Sequence, residues 1–480
     1  MGLWSSMTGW IRSLAPHDGG SFDRSNKNWT PVDGTGEAIN QVSRDVIRNR
    51  ARDLERNSDI VSSVIDPFER GVVGTGIRLQ AKVMEAGEDN EELNAKIEQL
   101  WNRWCRYDHC DVTGQLCFSE MQRQGVRRRL VDGGLFYILC VDPKEEFPLK
   151  LQIKEVDELD TSTLYYGQGR GKNKVVGGIE LDPFGKTVAY HFKEYDVYGW
   201  NGKSVRVEAK HVIYLNYKNR PSEVREFSPL GKILPRLRDL NQYINAVSVK
   251  ERVLACLSVF IKKAAQVMNF GNPKNRDRTD SATGYRTQTL SPGMINYLDA
   301  GDSVEVVNPS GQASNAKDFV SMLQHSIGAA MGLSYEATTR DMSQVNYSSA
   351  RQGLLDDQRT YQIWQHYIIE HFCQPVYEKF LECCVLSGKL DIPGFFTEKE
   401  KYIRCEWIPN GMSWIDPLKE VRANEYALNS NQITLEEICA SRGQDYRDVL
   451  RQRKKEKELM IKYGLQPAET AVSAGGEGEE

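Results

Sequence analysis

Residues 327–358 read IGAAMGLSYEATTRDMSQVNYSSARQGLLDDQ, two helical patterns held apart by a polar gap. The first pattern stops at Gly332, a glycine just past the last apolar residue, where a left-handed conformation carries no steric cost. Leu333 to Ser348 then shows no sustained apolar period. Ser349, with Gln352 three residues on, makes a capping box that opens the second helix. A connection of this length between two strong helices is uncommon inside a compact domain, where such loops are functional or disordered.

The second helix is long. Leu354, Tyr361, Trp364, Ile368, Phe372, Val376, Phe380 and Cys383 keep a three-to-four spacing from Ser349 to Leu386. Unbroken, it would run roughly 55 Å, and Pro375 is expected to kink it. A helix of that length behind a polar loop points to a spoke in a larger assembly. The competing reading is an ordinary long core helix with a surface loop.

Outward from this stretch, 480 residues are too many for one core and predict two to four packed units. Charge is nearly balanced, with a formal net charge of −4, which argues against tight static nucleic-acid binding by the whole surface. The apolar run Leu254–Ile261 closes on Lys262-Lys263 and is too short for a bilayer, so no membrane span is expected. The N-terminus lacks the apolar core of a signal peptide, and a reducing cytosolic environment is the default. The ten cysteines include no CxxC pair; Cys105, His109, Cys110 and Cys117 cluster without the spacing of a zinc module and read as free thiols.

From the start, Met1–Asn28 is small and polar. Helices are expected from Ile39 to Leu54, with Arg44, Arg48, Arg50 and Arg52 interleaved, and over Asp59–Phe68, Glu91–Tyr107 and Phe118–Leu130. The arginines Arg123, Arg127, Arg128 and Arg129 on the last of these read as a solvated or ion-paired face. After Gly133-Gly134 the period switches to two. Strands are expected at 135–141, 149–156, 175–181, 187–194 and 211–216, with Asp182-Pro183-Phe184-Gly185 as a hairpin turn. A helix follows over Leu230–Leu254, then a polar insert over Phe270–Thr289, short strands over Met294–Val307 and a helix over Ala316–Met331. Beyond Gly388, helices open at Asp416-Pro417, at the Thr434/Glu437 capping box and at Asp445, and an acidic tail closes the chain.

Chemistry for an enzyme is not visible. Gly202-Lys203-Ser204 ends like a P-loop, but Val197 stands where its first glycine is required. His366 and His371 are five apart, about 140° around a regular helix, and cannot ligate one ion from one face. No nucleophile elbow, kinase set or spaced carboxylate pair stands out, and no cofactor is expected.

Gly332-Leu333-Ser334-Tyr335-Glu336, Asp341 and Asn346-Tyr347-Ser348-Ser349-Ala350-Arg351 together resemble the signature segment of the portal proteins of lambda-like tailed bacteriophages. Val72-Val73-Gly74-Thr75-Gly76, Gly178-Ile179-Glu180 with Val188-Ala189-Tyr190, and Trp414-Ile415-Asp416-Pro417 with Lys419-Glu420 are similar to segments of the same family, so the resemblance covers most of residues 30–460. Arg225-Glu226-Phe227 departs from it, because the family commonly has Arg-Gly there, and a local change of turn is expected.

The resemblance implies an α+β portal fold with α/β wing, helical stem, small α/β clip and helical crown, assembled as a ring. Its units would be a flexible N-terminus at 1–28, wing at 29–227, stem helix 1 at 228–262, clip at 263–308, stem helix 2 at 309–332 and tunnel loop at 333–348. The long helix and wing return would take 349–412, the crown 413–465 and a disordered acidic tail 466–480. It implies no enzyme but a homo-oligomer, twelve copies in the family, at the capsid vertex of the virion and in the host cytoplasm during assembly. Partners would be double-stranded DNA in the channel, the terminase motor, head–tail connector proteins, and capsid and scaffold proteins. In the tunnel loop Arg340, Gln344 and Asn346 are the candidate DNA contacts; in the clip Lys274, Arg276, Arg278 and Arg286 are the candidate partner contacts. Two other classes compete: a cytosolic nucleic-acid-processing enzyme whose polar loop is an active-site lid, and a scaffold or connector without DNA contact.

Overall fold

The computed structural model describes residue 28 and residues 30–464 apart from 86–87, 163–172, 197–198, 258–315, 344–345 and 412–416. The expected clip, with Lys274, Arg276, Arg278 and Arg286, the acidic tail and nearly all of the N-terminal segment lie outside the described residues.

Thr35 opens helix α1 (Gly36–Asn57) by accepting from the Ala38 amide. Helix α2 (Asp59–Phe68) runs into a π-turn over Glu69–Val73. There Gly71 lies against the Tyr361 ring, where a Cβ would come within 2.5 Å of Cδ2. Gly74 at φ 55° and Gly76 at φ 125° then make the tight turn expected of Gly-Thr-Gly and lead into strand β1 (Arg78–Ala81).

Helices α3 (Glu91–Trp104) and α4 (Phe118–Val131) precede the first sheet. Strands β2 (Gly134–Val141), β3 (Leu149–Lys154), β4 (Lys174–Val176), β5 (Ile179–Leu181), β6 (Thr187–Asp196), β7 (Gly199–Glu208) and β8 (Val212–Asn216) form two antiparallel sheets, ordered β8-β2-β3 and β4-β5-β6-β7. The strand expected over 175–181 is two strands. Gly177 and Gly178, at φ 56° and 86°, fold it into a hairpin, and a Cβ on Gly177 would lie 2.6 Å from Cδ of the buried Arg225. Strand β7 was not anticipated; Gly202-Lys203-Ser204 belongs to it, without the helix that a phosphate loop must precede.

The next helices are α5 (Leu234–Leu257) and α6 (Ala316–Met331), joined by a Tyr243–Phe319 ring contact at 4.7 Å. After the short α7 (Tyr335–Thr339) comes the long helix, α8 (Tyr347–Ile368), a π-turn over Ile369–Cys373, and α9 (Gln374–Leu386). The expected disturbance at Pro375 is this widened turn just before it, where the Gln374 amide reaches back to Ile369 O. Strand β9 (Cys405–Ile408) pairs antiparallel with β1, and helices α10 (Pro417–Asn429), α11 (Leu435–Ser441) and α12 (Tyr446–Lys462) follow, the last two with the expected Thr434 and Asp445 caps.

Strand β2 divides two hydrophobic cores. Its alternation sends Leu135, Tyr137 and Leu139 into the larger one, and Phe136 and Ile138 into a smaller one with Ile179, Leu181, Tyr190 and Phe192. A strand buried on both faces explains its nearly unbroken apolar run. The larger core centres on Trp101, whose ring lies 4.9 Å from Trp104, 5.2 Å from Phe118 and Phe380, 5.6 Å from Tyr377 and 5.9 Å from Trp407. It thereby joins α3, α4, α9 and β9.

The residues 225–227 form more than an altered turn. Glu226 is fully buried, and its carboxylate takes Arg225 Nη2 at 2.7 Å, Tyr214 OH at 2.5 Å and Arg48 Nη1 at 3.4 Å. Arg44 donates Nε to the Glu226 carbonyl at 2.9 Å and Nη2 to Glu37 at 2.7 Å. One turn further, Arg52 grips Asp132 at 2.7 and 3.1 Å. Arg44, Arg48 and Arg52 thus form one inward face of α1, while Val42 on the opposite side is 84% exposed. On α4, Arg127 and Arg128 are ion-paired as expected, both to Glu55.

Burial pushes the Glu226 carboxyl up, but Arg225, Arg44 and the Tyr214 hydroxyl more than reverse this and hold it below its ordinary value of 4.5. Its stabilisation is therefore complete above that value and is lost as pH falls below it. Replacing Glu226 by Gln leaves the buried Arg225 guanidinium without its carboxylate and is expected to lower stability at pH 7 by about 3–5 kcal/mol. Urea unfolding of parent and variant between pH 7 and 3 should show the gap narrowing on the acid side.

Candidate functional site

The polar gap between α6 and α8 is more structured than its composition suggests. Gly332 ends α6 at φ 73°, as expected, and Leu333 N reaches back to Gly328 O at 2.9 Å. Ser334 then starts α7: its Oγ accepts from the Ala337 amide at 3.1 Å. The same serine donates its amide and hydroxyl to the Asp357 carboxylate at 2.6 and 2.7 Å, tying the gap to the long helix behind it. Burial pushes the Asp357 carboxyl up, and the two Ser334 hydrogen bonds only partly offset this.

Arg340 ends α7 in the left-handed region, at φ 57°, and its amide bonds to Glu336 O at 2.8 Å. Its side chain is exposed and lines a cavity of about 520 Å³ with Arg70, Glu336, Met342, Tyr361 and Asn410. Asp341 accepts from the Ser343 amide at 2.9 Å, and Ser343 holds that carboxyl below its ordinary value. Gln344 lies outside the described residues. Asn346, a candidate DNA contact, is the cap of α8: its Oδ1 accepts from the Ser349 amide at 2.9 Å, and Ser349 Oγ accepts from the Asn346 amide at 3.2 Å. The helix therefore begins at Tyr347, and Ser349 is the third-residue partner of the box and not its cap.

Further along the long helix, the regular-helix separation of His366 and His371 does not apply. The π-turn at Ile369–Cys373 winds the chain more slowly, and both histidines line one cavity of about 850 Å³ with Arg129, Tyr217, Ile363, Trp364, Tyr367 and Glu370. Burial and then the Arg129 charge push the His371 imidazole below its ordinary value. Among the described residues no group of three His, Cys, Asp or Glu side chains is placed to hold a metal ion. Cys105, Cys110 and Cys117 are free thiols, as are Cys140, Cys373, Cys383, Cys384, Cys405 and Cys439. Sequence reading missed both Asp357 as the anchor of the gap and Arg129 in the lining of this second cavity.

A polar gap braced by one buried acid and capped by Asn346 gives the signature segment a definite geometry, and the family comparison bears on the same residues. The family described as "Phage portal protein, lambda family" matches residues 22–365. The chain belongs to this family of phage portal proteins. A probable portal protein of Halomonas phage phiHAP-1 is 26% identical over 463 residues, covering 94% of this chain and 88% of that one. Portal protein B of Escherichia phage lambda is 21% identical over 492 residues, covering 95% and 92%. Among solved structures, the neck of an empty gene transfer agent particle is 12% identical with a TM-score of 0.41, covering 87% of this chain and 94% of that chain. The portal protein family is structural rather than catalytic.

Two substitutions separate the gap's geometry from its chemistry. Arg340→Gly keeps a residue suited to the left-handed cap and is expected to unfold within about 1 kcal/mol of the parent. Asn346→Ala removes the cap and is expected to lose about 1 kcal/mol. Thermal unfolding of the two variants checks the ranking.

Proposed function

We propose that copies of this portal protein assemble as a ring around a channel that admits double-stranded DNA, used to fill a phage capsid and later to empty it. The observation that carries this reading is the division of the long helix. From Tyr361 onward one face of it is embedded in the larger core, whereas in its first turns Asp357 is the one buried residue among the described residues. The front of the helix and the polar gap before it stand outside what one copy packs, where neighbouring copies and a substrate have access.

In this reading 29–227 is the wing, α5 and α6 belong to the stem, 263–308 is the clip, 333–348 the tunnel loop and 413–465 the crown. Twelve copies would surround the channel at one capsid vertex. The clip, through Lys274, Arg276, Arg278 and Arg286, would receive the terminase motor and later the head–tail connector; capsid and scaffold proteins would hold the ring's outer side during assembly in the host cytoplasm. Chemical energy would come from the motor. The loop would touch phosphates through Arg340, Gln344 and Asn346, weakly and without sequence preference, so that DNA slides. Since Asn346 also caps α8, Arg340 is the cleaner probe of that contact.

Purified protein is expected to form rings visible by electron microscopy, and a species that stays monomeric at micromolar concentration at every salt tried would defeat the proposal. Arg340→Gly rings should assemble like the parent but yield heads that retain less packaged DNA. Equal retention would make the loop structural.

A further inference from the structure

Arg129 is an unusual cation. It is 8% exposed, and its guanidinium is stacked among rings, 3.7 Å from the centroid of Tyr367, 4.2 Å from Trp364 and 5.4 Å from Tyr217. It donates Nε to Asn216 O at 3.0 Å and is hydrogen-bonded by its side chain to Tyr367. Every other buried arginine of the described residues, Arg44, Arg48 and Arg225, has a carboxylate; Arg129 has none within ion-pairing distance. Aromatic faces recover part of the desolvation of a guanidinium, but a charge this deep is normally also paired.

Arg129 lines the 850 Å³ cavity described above, together with Tyr217 and residues of the long helix. The rim is mixed. His366, Glu370 and His371 line it, and Ile363, one turn before Tyr367, is 72% exposed. An isoleucine in water beside three aromatic rings and a cation without an ion-paired carboxylate defines the ligand: an anion carried on an apolar body. Inorganic phosphate or a DNA backbone would match Arg129 but leave Ile363 and the rings wet. An aspartate or glutamate flanked by apolar side chains satisfies both.

We propose that this cavity receives a carboxylate-bearing segment of a second copy of the chain, with the acid on Arg129 and its apolar neighbours over Ile363, Trp364 and Tyr367. The proposal rests on the ring reading above, which supplies such copies at fixed stoichiometry, and it identifies one of their contacts. Because guanidinium and carboxylate are both held away from water, this contact sets which copy-to-copy register is allowed more than how tightly copies bind.

The test places the photo-crosslinking residue p-benzoylphenylalanine at position 363 of the full chain and irradiates assembled rings. The expected product is a covalent copy-to-copy dimer whose joined peptide carries an Asp or Glu beside apolar residues. Rings that yield only intramolecular product overturn the proposal. In parallel, Ile363→Glu, a substitution on an exposed face, should keep the parent's circular dichroism and melting while raising the concentration needed for half-assembly roughly tenfold or more. Unchanged assembly of that variant overturns the proposal and leaves the ring reading standing. A parent that forms no rings defeats the ring reading and, with it, this contact. Calorimetric titration with inorganic phosphate supplies the last arm: binding to assembled rings that Arg129→Met abolishes would show a free-anion site and overturn the protein ligand, whereas no binding to rings agrees with a cavity already filled.

Discussion

A carboxylate with no exposure to water has to be answered, and Glu226 is answered from three directions. Arg225 comes from its own segment, Tyr214 from β8 and Arg48 from α1, with Arg44 taking the carbonyl. Much follows from that one group. Helix α1 must turn its arginines inward, since Arg44, Arg48 and Arg52 recur every fourth residue and meet Glu37, Glu226 and Asp132 in turn. Its valines are then left outward. Gly177 must lack a side chain so that Arg225 has room, which breaks the second sheet's first strand into a hairpin. Removing Glu226 leaves Arg225 buried without a carboxylate, while Arg44 and Arg48 keep Glu37 and Asp157, so the cluster is shared between helix and sheet and fixes the orientation of α1 against the sheet.

The hydrophobic framework is more forgiving. Strand β2 sits between the two cores, and the long helix reaches the larger one through Tyr361, Trp364, Ile368, Phe372, Val376 and Phe380. The π-turn reconciles two demands on that helix. Without an added residue the apolar face ahead of Ile369 and the one behind Pro375 would follow a single straight stripe; with it, Phe372 and Cys373 are both fully buried before the stripe resumes at Val376 and Tyr377. The same widening carries His366 and His371 to one cavity.

What the sequence made legible is what depends on local pattern. The helices over 118–131 and 316–331, the turn at Asp182, the caps at Thr434 and Asp445 and the left-handed Gly332 all follow from short-range chemistry that the neighbouring residues already contain. Helix α7 was hidden because one turn is too short to show an apolar period; Ser334 as cap with Glu336 behind it was the available signal. Asn346 is masked as a cap by Ser349, since Ser-x-x-Gln is a commoner capping box than Asn-x-x-Ser. Strand β7 is polar along most of its length and announces itself only in the alternation of Val205 and Val207. The inward arginines defeat sequence reading for a different reason. A charged stripe on a helix is ordinarily solvated, and only the burial of distant carboxylates, Glu226 and Asp132, reverses that.

The same reasoning bears on how assembly and DNA contact share one chain under the proposed function. Surfaces that join copies gain from apolar area and from charges that are desolvated once and remain so. A loop that lets DNA pass gains from the opposite, groups that are hydrated before and after each contact and lose little on release. The two chemistries are kept apart along the long helix. Arg340 is exposed and left-handed at one end of it, with Asp341 and Ser343 bonded to each other beside it. Four to five turns on, Ile363 and the stacked Arg129 offer apolar area and a cation already stripped of water. Asp357 stands between them, holding Ser334 to the helix. The gap meets the helix there and at Thr360, which donates to Gly332 O at 2.7 Å, short of the turns that carry Ile363, so DNA movement and the cohesion of copies can be tuned by different residues.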